Sequence, residues 1–156
     1  MSAVSSVIHF FGVRCEHAFC SNFAPYPVTI DGVTWPTSEH YYQAQKFTDP
    51  AFRESIRAAV TPGQAKRMSR SKTQPRVDAW EAVRDEAMYR VVRAKFAQHA
   101  EIRAALLATG EAQLVEHCQR DAYWGDAGDG SGQNMLGRIL MRVREEMRSE
   151  GVESGV

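Results

Sequence analysis

The chain has 156 residues, of which 44% are hydrophobic and 24% charged, with 19 basic and 19 acidic side chains and a formal net charge of zero. That length suits a single domain with a real core. The balanced charge argues against a charged tail or a general nucleic-acid coat, but leaves room for a local basic pocket.

The first 36 residues read as irregular backbone with short strands. VIHFFG is an apolar run of β type, and YPVTIDGVTWPT reads as strand, turn at Asp31-Gly32 and strand, a hairpin signal. From there the chain reads as helical. Thr37 or Ser38 can cap a helix over SEHYYQAQKF. Asp49-Pro50 and Thr61-Pro62 are two further starts, each a capping residue followed by proline at the first helical position; after the first, Phe52, Ile56 and Ala59 share a face. The spacing predicts a long helix from about Asp78 to Gln98, with Trp80, Val83, Ala87, Val91 and Ala94 in one apolar row and Met88, Val92 and Phe96 beside it. EIRAALLATG is a short helix stopped by Gly110, and AQLVEHC a short strand. A last helix runs from about Met135 to Arg148. The expected fold is mostly α: a single compact helical domain over residues 1–148 with a small β-hairpin near the N-terminus, then a disordered tail over 149–156.

No internal repeat or low-complexity segment is present. Cys15, Cys20 and Cys118 are odd in number and form no disulfide framework, which fits a reduced, cytoplasmic setting. MSAVSSVIHFFGVRCEHAF lacks the basic segment and long apolar run of a signal peptide. No stretch reaches the roughly 18 apolar residues of a membrane span.

Two segments carry unusual chemistry. The first is WPTSEHYYQAQKF, residues 35–47. On a helix, Glu39, Tyr42, Gln43 and Lys46 share a face, with His40, Ala44 and Phe47 opposite and able to pack inward. Seven residues separate Glu39 from Lys46, a rise of about 10 Å, too far for an adjacent ion pair but suited to bracketing a ligand. A solvated polar face is the alternative. The second segment is DAYWGDAGDGSGQNMLGR. It places Asp121, Trp124 and glycines such as Gly125 just before a helix, where backbone N–H groups and a helix start can meet phosphate. It is neither a dinucleotide fingerprint nor a P-loop, and it lacks the ligand spacing of an EF-hand. The alternative is an ordered surface loop with Asn134 as the helix cap.

Weaker candidates are a zinc set drawn from Cys15, His17, Cys20, His117 and Cys118, whose spacing matches no common pattern, and RMSRSKTQPR, which reads as a solvated basic loop or as a phosphate-facing one. No nucleophile-elbow motif occurs.

Taken together, SNF at 21–23, DGVTWPTSEHYYQAQKF at 31–47, AKF at 94–96, LLATG at 106–110 and DAYWGDAGDGSGQNMLGRILMRVRE at 121–145 resemble the YbiA-like, or NADAR, family. The resemblance extends from about His9 to Met147. Relatives often carry Gly-Arg and Arg-Pro-Asp-Trp where this chain has Ser69-Arg70 and Arg76-Val77-Asp78-Ala79-Trp80. The resemblance implies a mostly α-helical N-glycosidase that cleaves the bond between a base-like nitrogen and ribose. Its substrate would be a small-molecule phosphoribosylamino-pyrimidine of riboflavin synthesis, or ADP-ribosylated guanine in nucleic acid. It implies no metal, no organic cofactor and no membrane, and it names no protein partner. By motif match Glu39, Lys46 and Asp121 are the catalytic candidates. Asn22, Phe23, Trp35, Gln43, Trp124, Gly125 and Asn134 are the candidates for binding sugar or base. Lys46 is either an amine nucleophile or a cation that holds a phosphate. This reading requires the opening helix and the glycine-rich loop to serve one pocket. A non-catalytic module that binds ADP-ribose or an NAD-related nucleotide is the competing reading, and a helical interaction domain the third.

Overall fold

The computed structural model describes residues 6–154. In chain order its elements are β1 (Val7–Phe10), β2 (Val28–Ile30), β3 (Val33–Trp35), α1 (Ser38–Ala44), α2 (Pro50–Arg57), α3 (Pro62–Met68), α4 (Trp80–Gln98), α5 (Ala100–Ala108), β4 (Gln113–Glu116) and α6 (Met135–Ser154). The fold is mostly α with small β elements. Two units are distinguished, residues 22–98 in one, and those up to Ser21 with those from His99 in the other.

In the unit of residues 22–98, β2 and β3 form the expected antiparallel hairpin, in register Val28↔Trp35, Thr29↔Thr34 and Ile30↔Val33. Its turn needs the left-handed backbone at both Asp31 (φ 51°) and Gly32 (φ 79°), the combination that an Asp-Gly pair supplies at least cost. Three short helices start where their caps predict: the side chains of Thr37, Asp49 and Thr61 accept from the backbone N–H of His40, Phe52 and Gln64. α1 packs against α2, α3 and α4. Ala44, Phe47, Ile56, Ala65, Val91 and Phe96 are fully buried.

α4 departs from its sequence pattern. Its buried residues begin at Met88, while Val83 is 43% exposed. The first two turns are dense in charge, with Glu81, Arg84, Asp85 and Glu86 around Val83, so an apolar row at helical spacing overstates the buried stripe there. Farther along, Lys95 is only 1% exposed. Its ammonium lies 5.6 Å from the Tyr26 ring centroid and 5.4 Å from that of Phe96. Its long stem fills core space while the rings meet the charge.

In the other unit β1 and β4 pair in parallel, Val7↔Gln113 through Phe10↔Glu116. Both strands are legible as apolar runs, but a parallel pairing this far apart in sequence is not. β4 lies on α6, with Leu114, Leu136, Leu140 and Val143 buried. A side chain at Gly137 would collide with the Leu114 carbonyl, so glycine sets how closely helix and strand approach. The end of α5 is tied down from α6. Arg144 donates to Thr109 Oγ1 (2.9 Å) and the Ala112 carbonyl (2.8 Å), and Arg148 to the Gly110 carbonyl (2.7 Å), satisfying carbonyls that a helix end leaves open. Burial pulls the Arg144 guanidinium below its ordinary pKa. α6 continues past Arg148 to Ser154. Among the described residues no helix is long and apolar enough to cross a membrane.

Candidate active site

Every residue of α1 is buried, including Ser38, Glu39, His40 and Gln43. A buried polar group costs free energy unless it is hydrogen-bonded, so the partners of these four side chains matter. The Ser38 hydroxyl donates to Asn22 Oδ1 (2.9 Å). His40 Nδ1 lies 2.7 Å from Thr37 Oγ1 and Nε2 lies 3.0 Å from the Ala59 carbonyl. The carbonyl can only accept, which assigns the ring proton to Nε2. Burial lowers the His40 pKa, against the opposing effect of the Ala59 bond.

The remaining pair is different. Gln43 Nε2 donates to Glu39 Oε1 at 2.6 Å. The amide oxygen of Gln43 then has no partner among the described residues, although the atom is buried. An acceptor left in this state costs about 1–3 kcal/mol.

Lys46 lies just beyond this pair. The expected helical face of Glu39, Tyr42, Gln43 and Lys46 holds for the first three, but α1 ends at Ala44 and Lys46 sits in the turn that follows. The turn ends in a long-range pairing: Phe47 bridges Arg76, the Val77 N–H donates to the Lys46 carbonyl (2.8 Å), and the Thr48 N–H donates to that of Pro75 (3.2 Å). The Lys46 ammonium stands 5.2 Å from the Tyr42 ring centroid. Burial pulls its pKa below the ordinary lysine value; Glu39 pulls it back up, and Arg76, Lys66 and Arg70 push it down further.

Lys66, Arg70 and Arg76 are exposed, around a half-buried lysine and a buried carboxylate. The Lys66 ammonium lies 5.9 Å from the Phe23 ring centroid. The Arg76 guanidinium lies 4.9 Å from that of Phe47 and donates to the Ser69 carbonyl at 2.6 Å. Arg70 and Arg76 stand where the resemblance sets phosphate contacts, at two motifs that depart from the pattern of relatives, and Lys66 is not marked by any motif. The basic run RMSRSKTQPR contains Arg70 and Arg76, and the pairing of Phe47 with Arg76 decides where Arg76 goes, whereas Lys66 lies before that run, on α3, which packs against α1.

Two binding candidates of this unit have structural engagements. Trp35 is buried edge-on to Tyr41, centroids 5.6 Å apart. Asn22 accepts from Ser38 and donates to Met88 Sδ at 3.3 Å, and its backbone carbonyl accepts from Glu39 N–H at 3.2 Å. Phe23 is half-buried.

Asp121, Trp124, Gly125 and Asn134 lie together in the other unit, in a loop that consumes its own donors. Asp121 Oδ1 accepts from the N–H of Tyr123 (3.0 Å) and Trp124 (2.8 Å). The Gly130 and Gly132 N–H groups donate to the Asp126 carbonyl, and those of Met135 and Leu136, at the start of α6, to the Tyr123 and Trp124 carbonyls. The phosphate cradle expected of glycines before a helix start is thus occupied by backbone. Gly125 serves close packing: a Cβ there would stand 2.9 Å from the Glu116 carbonyl oxygen and 3.0 Å from that of Asp121. Asn134 caps no helix with its side chain. At φ 52° it turns the chain, and its amide bonds Leu114 O (2.9 Å) and Glu116 N (3.0 Å) along β4. The Trp124 ring is half-buried and meets Tyr123 edge-on at 4.9 Å. Asp126 is buried in the same loop. Burial raises its pKa, but hydrogen bonds from His117, Gly128 and Cys118 outweigh this and hold the carboxyl below its usual range.

A family model described as the NADAR domain matches residues 9–148, and the chain belongs to that family. It is 50% identical to N-glycosidase YbiA of Escherichia coli (strain K12), covering 93% of this chain and 91% of that one. It is 41% identical to an N-glycosidase of Nostoc punctiforme, covering 91% and 93%. A riboflavin biosynthesis protein of Vibrio vulnificus is 48% identical over 90% of this chain, which spans 38% of that longer protein. The NMR structure of E. coli YbiA superposes with a TM-score of 0.89 at 49% identity, covering 97% of this chain and 90% of the other.

Proposed function

We propose that the chain is an N-glycosidase that hydrolyses the bond between a base-like nitrogen and a phosphorylated ribose, with Glu39 and Lys46 at the reacting carbon. One observation carries this reading: a half-buried lysine beside a buried glutamate, its pKa lowered by burial and by three neighbouring cations. Cleaving an N-glycosidic bond builds positive charge on the ribose, in an oxocarbenium-like transition state. The Glu39 carboxylate stabilises that charge. Lys46 acts as an amine: its nitrogen bonds the anomeric carbon as the base departs with a proton, the sugar ring opens to an imine, and water releases the sugar as the aldehyde. Lys66, Arg70 and Arg76 hold the phosphate.

The substrate we propose is a phosphoribosylamino-pyrimidine intermediate of riboflavin synthesis, a choice supported by the name of the Vibrio relative. Three cations also suit a diphosphate, which favours ADP-ribosylated guanine as the second reading. The test incubates purified protein with each substrate beside a Glu39→Ala variant and reads products by mass spectrometry. Release of ribose phosphate or ADP-ribose by wild type alone is the expected result and names the substrate class. If neither is cleaved and ADP-ribose raises the melting temperature, the chain is a binding module instead.

A further inference from the structure

The unit containing the β1–β4 pair carries a cluster that takes no part in the proposed hydrolysis. His9 lies on β1, and His117 lies one residue past β4, its N–H bonded to the Phe10 carbonyl at 2.9 Å. The parallel pairing therefore brings two imidazoles together from residues far apart in the sequence. Their rings meet edge to face, 5.3 Å between centroids at 73°. The glycine-rich loop then adds Asp126, only 5% exposed. Asp126 Oδ2 lies 2.9 Å from His117 Nδ1, and Oδ1 accepts from the N–H of Cys118 (3.2 Å) and Gly128 (2.8 Å). One donor atom from each of His9, His117 and Asp126 lies within 4.8 Å of the other two.

We propose that His9, His117 and Asp126 form a binding site for a divalent transition metal of the zinc, nickel or cobalt type. Two imidazoles and one carboxylate are the donor set such ions select over calcium or magnesium. Metal–nitrogen and metal–oxygen bonds of about 2.0–2.2 Å place neighbouring ligand atoms roughly 3 Å apart. The spacing of Asp126 Oδ2 and His117 Nδ1 already matches, so a metal can replace the proton between them. Two backbone N–H groups fix the carboxylate in advance, the kind of support that orients metal ligands. Three protein ligands leave coordination positions open, and His9 and Asp126 line a cleft of about 550 Å³. Arg138 lines it too. Its positive charge opposes cation binding there.

The test uses tag-free protein with Zn²⁺, Ni²⁺ and Co²⁺, read by calorimetry, thermal melts and the visible spectrum of bound Co²⁺. One site per chain is expected, with a melting temperature that rises on adding metal and a Co²⁺ spectrum free of thiolate charge transfer. His9→Gln and His117→Gln each weaken binding about tenfold or more, while Cys118→Ser leaves it unchanged. Both histidines are exposed, so these variants keep the fold, and the metal-free melt of His9→Gln checks this. Asp126→Asn is not relied on, because that carboxylate also holds the loop. Absence of binding at millimolar metal overturns the proposal. So does binding that survives both histidine substitutions, or that disappears with Cys118→Ser.

Discussion

The helix α1 and the glycine-rich loop look alike in sequence, both dense in aromatic, polar and acidic residues, yet they treat their polar groups in opposite ways. The loop pairs its polar groups internally. Asp121 and Asp126 accept from nearby backbone N–H groups, and the first turn of α6 donates to loop carbonyls. Around α1 a buried amide oxygen is left without a partner among the described residues, and a lysine is held below its ordinary pKa. A segment that satisfies its own groups is scaffold in the first instance. One that gathers cations around a buried carboxylate and perturbs a titratable group is where chemistry is expected.

Substitutions in the two segments should therefore separate activity from stability. The largest effect is expected from Glu39→Gln, which keeps size and hydrogen bonding but removes the charge: kcat/KM falls about a thousandfold. Lys46→Met should cost about a hundredfold or more in kcat. It should also remove a product-sized adduct that borohydride traps on the wild type, read by intact mass. The sign of the pH dependence follows from the lowered pKa of Lys46. The amine form grows as pH rises, so wild-type activity climbs through a pH below the ordinary lysine value and then levels off; a flat profile would contradict the nucleophilic role. Arg70→Ala and Arg76→Ala should raise KM about tenfold for the phosphorylated substrate and leave the dephosphorylated one unaffected, as a kinetic comparison of the two would show.

On the scaffold side, Asp121→Ala removes the acceptor of two backbone N–H groups. It should lower stability by about 1–3 kcal/mol in chemical denaturation. If it instead abolishes turnover while the midpoint holds, the loop is catalytic and the contrast with α1 fails. The smallest effect concerns His40. Its pKa is lower folded than unfolded, so the unfolded chain takes up more protons between the two values. Stability is complete above about pH 6.5 and is lost as pH falls through the folded pKa. His40→Gln should flatten that acid limb of the melting curve.

What was legible in the sequence was local. The Asp31-Gly32 turn, the caps Thr37, Asp49 and Thr61, and the stop at Gly110 rest on short-range chemistry, and each stands where the residues put it. Glu39 and Gln43 were legible as neighbours because they lie four apart on a helix. What was hidden depends on contacts distant in sequence. No glycine or proline marks the end of α1; the chain leaves the helix to pair Phe47 with Arg76, and that pairing delivers Arg76, while Lys66 comes from α3 packed on α1. The buried Lys95 and the His9–His117 approach are hidden for the same reason, since each needs partners from another element. Asp121 and Asn134 were noticed for their residue types, while their hydrogen bonds belong to the loop's own architecture.

The most direct measurement takes Glu39→Gln and wild type through the same two assays, turnover of the phosphoribosylamino-pyrimidine and thermal melting. The expected result is a loss of kcat/KM of about a thousandfold with a melting temperature close to that of the wild type. Near-wild-type turnover in the variant would contradict a catalytic role for α1.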